Sequence, residues 1–232
     1  MALKNAKQSA LIKRDEILKK TPIDINNKIT IIIFYCFIIT AILCYAYFNS
    51  NYSVVIVDGQ SMYPTANIQE REDYTKKDHA VIKFNAKYSK GDIIIAATES
   101  GGNVQNYVIK RVIALEGDTL TFITQGNKIK VVVNGEVLDE DYINPDSRME
   151  DAMYGFLNLK YDQKFSNYFE GDVFTIPENY VYYMGDNRDF SYDCNNYGPV
   201  EEKYIVAKVI YIVPYGQDVF IYSVKTKLKE IF

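Results

Sequence analysis

From Ile29 to Phe48 the chain carries no charged residue for twenty positions (ITIIIFYCFIITAILCYAYF), and this run constrains the fold more than any other feature. At about 1.5 Å per residue, a helix of that length crosses a bilayer core of roughly 30 Å. Tyr45, Tyr47 and Phe48 gather at one end, as an interfacial aromatic belt would. A cleaved signal peptide would have an apolar core of about 7–15 residues and a small-x-small site after it. Here the chain continues Asn49-Ser50-Asn51-Tyr52. A buried core helix would show a polar stripe, and none is present. The run is therefore read as one transmembrane helix, residues 29–48. Residues 1–28 carry seven basic and three acidic groups, a net of +4, which leaves −8 to the remainder of a chain whose formal charge is −4. The positive-inside rule makes 1–28 a cytoplasmic basic tail and puts 49–232 on the extracytoplasmic face of the cell membrane.

Composition narrows what that exported part can be. With 48% apolar and 24% charged residues the chain as a whole is neither disordered nor of low complexity. Three Cys and one His are too few for a zinc ribbon or finger, so no metal and no cofactor is expected. Mild acidity argues against nucleic acid. Cys36 and Cys44 fall inside the span, so Cys194 stands alone outside it and no intrachain disulfide staples the domain. A monomer is expected.

After the anchor the helical period disappears. Short runs rich in Val, Ile and Tyr recur at Ser53–Val57, Ala80–Phe84, Asp92–Ala97, Tyr107–Leu115, Leu120–Ile123, Lys128–Val133, Glu136–Leu138, Val173–Ile176, Tyr180–Met184 and Tyr204–Val213. Asn134-Gly135 is a strong two-residue hairpin signal and Gly126-Asn127 a weaker one. With no βαβ rhythm, the expected fold is mainly β, an antiparallel sheet domain behind one N-terminal transmembrane helix. Residues 139–170 are acidic and poorly periodic, and read as an irregular excursion carrying a short helix.

Three stretches carry candidate chemistry. In Gly59-Gln60-Ser61-Met62-Tyr63-Pro64-Thr65, Gly59 permits a tight bend and Pro64 fixes the chain beyond it. A serine on such a bend presents its hydroxyl with its own N–H beside it, as a nucleophile with an oxyanion donor needs. Alone, it is equally an ordinary turn residue. A Ser-His-Asp triad would have to use His79, which sits in the charged run Lys76-Lys77-Asp78-His79 and reads as a solvated turn. The other activator of serine is a desolvated, neutral lysine. In the run Tyr107–Ala114, period-two alternation puts Lys110 with Val108, Val112 and Ala114, and Arg111 on the opposite face with Tyr107, Ile109 and Ile113. The bland alternative is an edge-protecting lysine. The third stretch, Gly185–Asp193, is dense in Asp, Asn, Arg and Ser, and is either a solvated loop or the source of polar partners for Lys110 and Arg111.

Together these stretches resemble type I signal peptidase, the membrane-anchored Ser/Lys protease family, in its Gram-positive-like form. GQSMYPT is similar to the nucleophile box, KGDIII to the next, YVIKRVIALEGD to the lysine box, and GDNRDFSYD followed by YGPV to the last. All occur in family order between Asp58 and Val200. The resemblance implies a β-sheet fold around a dyad in which Ser61 is the nucleophile and Lys110 the general base. It further implies that Ser191 orients the lysine, that Arg111 pairs with Asp186, and that Asp193 belongs to the same supporting shell. It implies an endopeptidase that removes signal peptides from exported preproteins at Ala-X-Ala-like sites. The substrate would lie extended between the strand ending at Asp58 and the strand carrying Val108 and Lys110. Met62 and Tyr63 would then form a wall that meets substrate or lipid.

The sequence departs from the family pattern in places. Cys194 and Asn195 replace the usual Ser and Arg, which removes the ion pair that the Arg would give Asp193. Ala114 and Glu116 stand where Gly and Pro are common, and Ala66 where Leu is. Gly59 replaces a hydroxyl residue that helps hold the oxyanion in some members, which leaves the Ser61 N–H to work with a backbone donor or water. Three rival readings stand beside this one. The first is a related Ser/Lys peptidase with a dedicated client, of the conjugative-transfer or pilus type. The others are a membrane-anchored β-domain that binds peptides without cutting them, and a sortase-like transpeptidase using Cys194 and His79.

Overall fold

The computed structural model describes residues 25–100 and 103–219, so the basic tail up to residue 24 lies outside the described residues. One helix, α1 (Ile25–Asn51), contains the uncharged run, and its apolar side chains, Ile33 and Phe37 among them, are exposed. At 27 residues it is about 40 Å long, enough to span a bilayer core with a turn to spare at each end. The Thr40 hydroxyl donates to the Cys36 carbonyl (2.8 Å), so the helix satisfies its one central polar side chain internally.

The second unit is a mainly antiparallel β domain built from two sheets. The strands are β1 (Tyr52–Ile56), β2 (His79–Phe84), β3 (Ile93–Ser100), β4 (Asn103–Leu115), β5 (Thr119–Gln125), β6 (Lys128–Val133), β7 (Glu136–Val137), β8 (Phe169–Glu170), β9 (Val173–Thr175), β10 (Tyr180–Met184), β11 (Val200–Glu201) and β12 (Ile205–Val213). All ten apolar runs became strands, while the two-residue strands β8 and β11 carry too little pattern to be read in advance. The larger sheet runs β1-β2-β12-β3-β4-β10-β11 and the smaller β7-β6-β5-β9-β8. Both hairpin signals hold. Asn134 and Gly135 take φ of 53° and 80° between β6 and β7, and Gly126 takes 62° between β5 and β6.

The continuous run in β3 has a simple cause: the larger sheet is covered on both faces. Ile94 and Ala96 join a core shared with the smaller sheet, where Leu120, Val131, Phe174 and Tyr182 are fully buried, while Ile95 enters a second core with Val57, Ala80, Ile82, Ile109 and Val209. The excursion at 139–170 folds over the first core through α2 (Glu150–Asn158) and two short 3₁₀ turns. Phe156 of α2 stacks tilted on Phe122 at 4.9 Å and on Phe169 at 5.4 Å. A last short helix, α3 (Cys194–Tyr197), follows the Asp-rich loop.

One expectation about β4 is corrected here. Strict alternation put Ile113 on the face opposite Val112 and Ala114, yet all three lie in the first core. The β4–β10 register shifts between Tyr182 and Tyr183, with Ala114 and Val112 paired across it, and that irregularity turns Ile113 inward.

Two edges of the larger sheet stay open. Among the described residues, strand β1 pairs only with β2, and β10 covers β4 only from Arg111 to Leu115, which leaves residues 103–110 paired with β3 alone. Both open edges border the same cleft.

Candidate active site

The cleft is a cavity of about 450 Å³. Val55, Ile56, Val57 and Asp58 line one side, Tyr107, Val108, Ile109 and Lys110 another, and Ser61 also faces it. The lining is largely apolar, as the alternating pattern of both strands dictates.

Ser61 stands on a loop that two buried residues brace. Gly59 takes φ +83°, a conformation open to glycine, just beyond the last ladder bond from Val57 N–H to the Asp78 carbonyl (2.9 Å). Asn67, fully buried with φ 59°, donates its side-chain amide to the carbonyls of Val57 (3.0 Å) and Gly59 (2.9 Å). Its amide oxygen accepts from the Asp78 N–H (2.8 Å), and its own N–H donates to the Asp78 carboxylate (2.7 Å). Asp78 also accepts from the Tyr215 N–H (2.8 Å). The charged run before β2 is thus not a solvated turn, because Asp78 is 5% exposed and ties three segments together. His79 is the first residue of β2, paired across to Ile56 and Val213, and does not line the cleft. Met62 is 1% exposed and packed in the second core, so it supports the loop from within and forms no wall for substrate or lipid. Tyr63 is half-buried and lines a separate cavity beside the loop.

Lys110 is 4% exposed, and its Nζ lies 2.8 Å from Ser61 Oγ and 3.0 Å from the Ile109 carbonyl. Burial pulls its pKa below the ordinary lysine value, against the opposing pull of Asp193, the Cys194 thiol and Asp186. A lysine so placed reaches the neutral state far more easily than one in water.

Arg111, on the neighbouring position of β4, forks onto Asp186 through Nε (2.8 Å) and Nη2 (2.6 Å) and donates Nη1 to the Gly91 carbonyl (2.7 Å). Thr65 from the nucleophile loop donates its hydroxyl to the same Asp186, and the Tyr142 ring lies 3.9 Å from the guanidinium carbon. This planar, bidentate pair locks the loop carrying Ser61 to the loop after β10.

The Gly185–Asp193 loop is ordered by contacts rather than solvated. The Asn187 N–H donates to the Ser61 carbonyl, and its side-chain amide to the Gln60 carbonyl, both at 3.0 Å. Arg188 pairs with Glu140 of the excursion, both side chains fully buried, and donates to the Gly185 carbonyl (3.0 Å). The Asp193 carboxylate accepts from the N–H groups of Gly185 (2.8 Å) and Asn195 (3.1 Å) and from the Asn195 amide (2.9 Å), while the Tyr182 hydroxyl donates to Asn195 (2.8 Å). Burial raises the Asp193 pKa, against the Ser191 hydroxyl, the N–H groups of Gly185 and Asn195, and Lys110. The Cys194 sulfur is fully buried and accepts from the Tyr183 N–H (3.3 Å), and burial pushes its thiol pKa well above the ordinary value. Ser191 packs against Gly185 with its buried hydroxyl beside the Asp193 carboxylate, and the two hydrogen bonds of Lys110 go to Ser61 and Ile109 instead. Sequence reasoning missed Asn67, Thr65, Asp78, Tyr142, Glu140 and Asn187. Thr65, Asp78 and Asn187 lay inside stretches the sequence singled out, without a role of their own, and Asn67 left only the trace of a residue type that tolerates a left-handed turn.

Comparison with known proteins identifies the family. The family profile described as "Signal peptidase, peptidase S26" matches residues 27–214. Signal peptidase I S of Bacillus subtilis is 30% identical over 159 residues, which is 68% of this chain and 74% of that protein. Mitochondrial inner membrane protease subunit 1 of Schizosaccharomyces pombe is 29% identical over 159 residues, 68% of this chain and 71% of that one. A crystal structure of a signal peptidase I from Enterococcus faecalis aligns at 26% identity over 54% of this chain and 98% of that chain, with a TM-score of 0.34. This chain belongs to the signal peptidase family, the peptidases that process the signal peptides of preproteins.

Proposed function

We propose that this chain is a membrane-anchored serine endopeptidase that uses Ser61 and Lys110 as a dyad and cuts preproteins after small-x-small leaders. The observation that carries the reading is a buried lysine amine 2.8 Å from a serine hydroxyl at the mouth of an apolar cleft. Neutral Lys110 takes the proton from Ser61 Oγ as the oxygen attacks the scissile carbonyl. The negative charge that develops on the carbonyl oxygen meets the Ser61 N–H. The lysine then gives its proton to the leaving amine, the C–N bond breaks, and an acyl-serine remains. Water cleaves that ester with Lys110 again as base. Arg111, Asp186 and Asp193 hold the two loops that carry and face the nucleophile, Gly59 supplies its bend, and Ser191 fills the space behind it.

The open edges of β1 and of residues 103–110 suit an extended leader that adds as a strand between them. Val55, Val108 and Ile109 then receive its small side chains. With helix α1 as a bilayer span and the basic tail inside, the β domain is exported to the side where translocated leaders emerge, and a shared membrane lets enzyme and substrate meet in two dimensions. Incubating the full chain in detergent with a preprotein whose leader ends Ala-X-Ala tests the reading. The expected result is one cut after the second Ala, lost in Ser61→Ala. Binding without cleavage would favour a peptide-binding module, and thiol-sensitive transfer to an amine would favour a transpeptidase.

A further inference from the structure

A second cavity, of about 350 Å³, adjoins the nucleophile loop and shares no lining residue with the cleft. Gln60, Tyr63, Glu70, Asn144, Asn187 and Phe190 line it. Gln60 precedes the nucleophile in the chain, and the Asn187 N–H is bonded to the Ser61 carbonyl, so this cavity flanks Ser61 as the cleft does, from other residues. If the leader fills the cleft up to the scissile carbonyl, the chain after that bond has this cavity beside it.

Three features of its wall point to one kind of occupant. The Glu70 carboxylate accepts long hydrogen bonds, 3.4 Å each, from the Gly59 N–H and the Gln60 amide, and among the described side chains no cation lines the cavity. Lys77 feels Glu70 from outside, but its ammonium is held by Asp58 at 2.5 Å. Asn187 is 5% exposed, and its side-chain oxygen is buried with no donor. Phe190, 76% exposed, and half-buried Tyr63 offer apolar ring faces. A lysine or arginine side chain matches the carboxylate and the rings, with its stem on the rings and its charge at Glu70. The unmet Asn187 oxygen in the same wall becomes an acceptor for an N–H of the segment once the wall adjusts to it.

We infer that this cavity receives the first residues of the released chain and favours a cationic side chain among them. The assignment rests on the proposed dyad and cleft. The test uses the full chain in detergent and peptides that share one Ala-X-Ala leader but carry Lys, Gln or Glu at the first or the second position after the scissile bond. At one of these positions kcat/KM should favour Lys over Glu by about fivefold to tenfold, the scale of one solvent-screened charge pair, with Gln between. The preference should shrink with added salt. It should flatten in Glu70→Gln and reverse in Glu70→Lys. A ratio of two substrates within one preparation does not depend on how much of a variant is folded. Equal Lys-to-Glu ratios in wild type and Glu70→Gln, at both positions, would overturn the assignment. Failure of the wild type to cut any of the peptides would instead overturn the proposed function, and the assignment with it.

Discussion

Gly185 is the position where one added methyl group should do most harm to the reaction. The residue is buried between β10 and the Asp-rich loop, its N–H held by Asp193 (2.8 Å) and its carbonyl by Arg188 (3.0 Å). A Cβ built there would lie 2.6 Å from Ser191 Cβ and closer still to the Ser61 carbonyl oxygen and Ser191 Oγ, where ordinary contact begins at 3.4 Å. The Ser191 hydroxyl can rotate away, but the Ser61 carbonyl is backbone. Restoring ordinary contact means moving the two loops apart by about 1 Å, which pulls at the Asn187 bond to that carbonyl; overpacking of this kind costs about 1–3 kcal/mol of stability. The catalytic cost is larger, because a nucleophile displaced by about 1 Å from its base loses roughly 100-fold in rate. Gly185→Ala in the full chain should therefore unfold cooperatively by circular dichroism, a few degrees below wild type, while kcat/KM on a preprotein falls by about two orders of magnitude. A folded variant within threefold of wild type would refute the argument that this close approach positions Ser61.

Other expectations follow from the same geometry. Ser61→Ala and Lys110→Ala should each abolish cleavage, and the double variant should be no worse than either, because the two groups act as a unit; substantial activity in Lys110→Ala would point to another base. Activity should rise with pH through the lowered pKa of Lys110, since the working form is the neutral amine. Asp193→Asn removes a charge that favours the ammonium, so the acidic limb of the rate–pH profile should move to lower pH, and a limb that stays or moves up contradicts the coupling. Cys194→Ser should keep most activity and iodoacetamide should inhibit little, since the thiol is fully buried and its pKa raised. Protease added to intact spheroplasts should digest the chain after about Asn49 and spare the basic tail.

The sequence exposed those parts of the fold that rest on local pattern. Strands were legible where alternation or a continuous apolar run reports burial, and the Asn134-Gly135 turn because its backbone demands those residues. Lys110 was legible because a charge in an apolar strand needs a reason. What stayed hidden rests on partners distant in the chain. Helix α2 begins after Met149 at φ 61° with no side-chain cap of its own. The two N–H groups just before it are met by Asp189, which accepts from Arg148 and Met149 at 3.0 and 2.9 Å from 40 or so residues away. The excursion likewise gains its order from Glu140 on Arg188 and Tyr142 over Arg111, contacts that only the folded sheet creates. Met62 was misread because a turn has no period to report which side chain faces inward.

The departure at Asn195 is explained by the same network, and it has a consequence for the base. Its amide supplies a hydrogen bond to Asp193 and its carbonyl accepts one from Tyr182, so the polar atoms an arginine would satisfy there are still met. The charge is not. Arg111 balances Asp186 and Arg188 balances Glu140, whereas the ion pairs of the described residues include none to Asp193. A buried carboxylate held only by neutral donors is costly to ionise, which is why burial dominates its raised pKa. Its field falls instead on Lys110, for which Asp193 is the largest of the opposing charges. Neutralising that field from the Asn195 position, as an arginine would, should make the lysine easier to deprotonate. On the proposed dyad, the asparagine keeps the hydrogen bonds around Asp193 met, and the carboxylate's charge raises the pH at which Lys110 loses its proton.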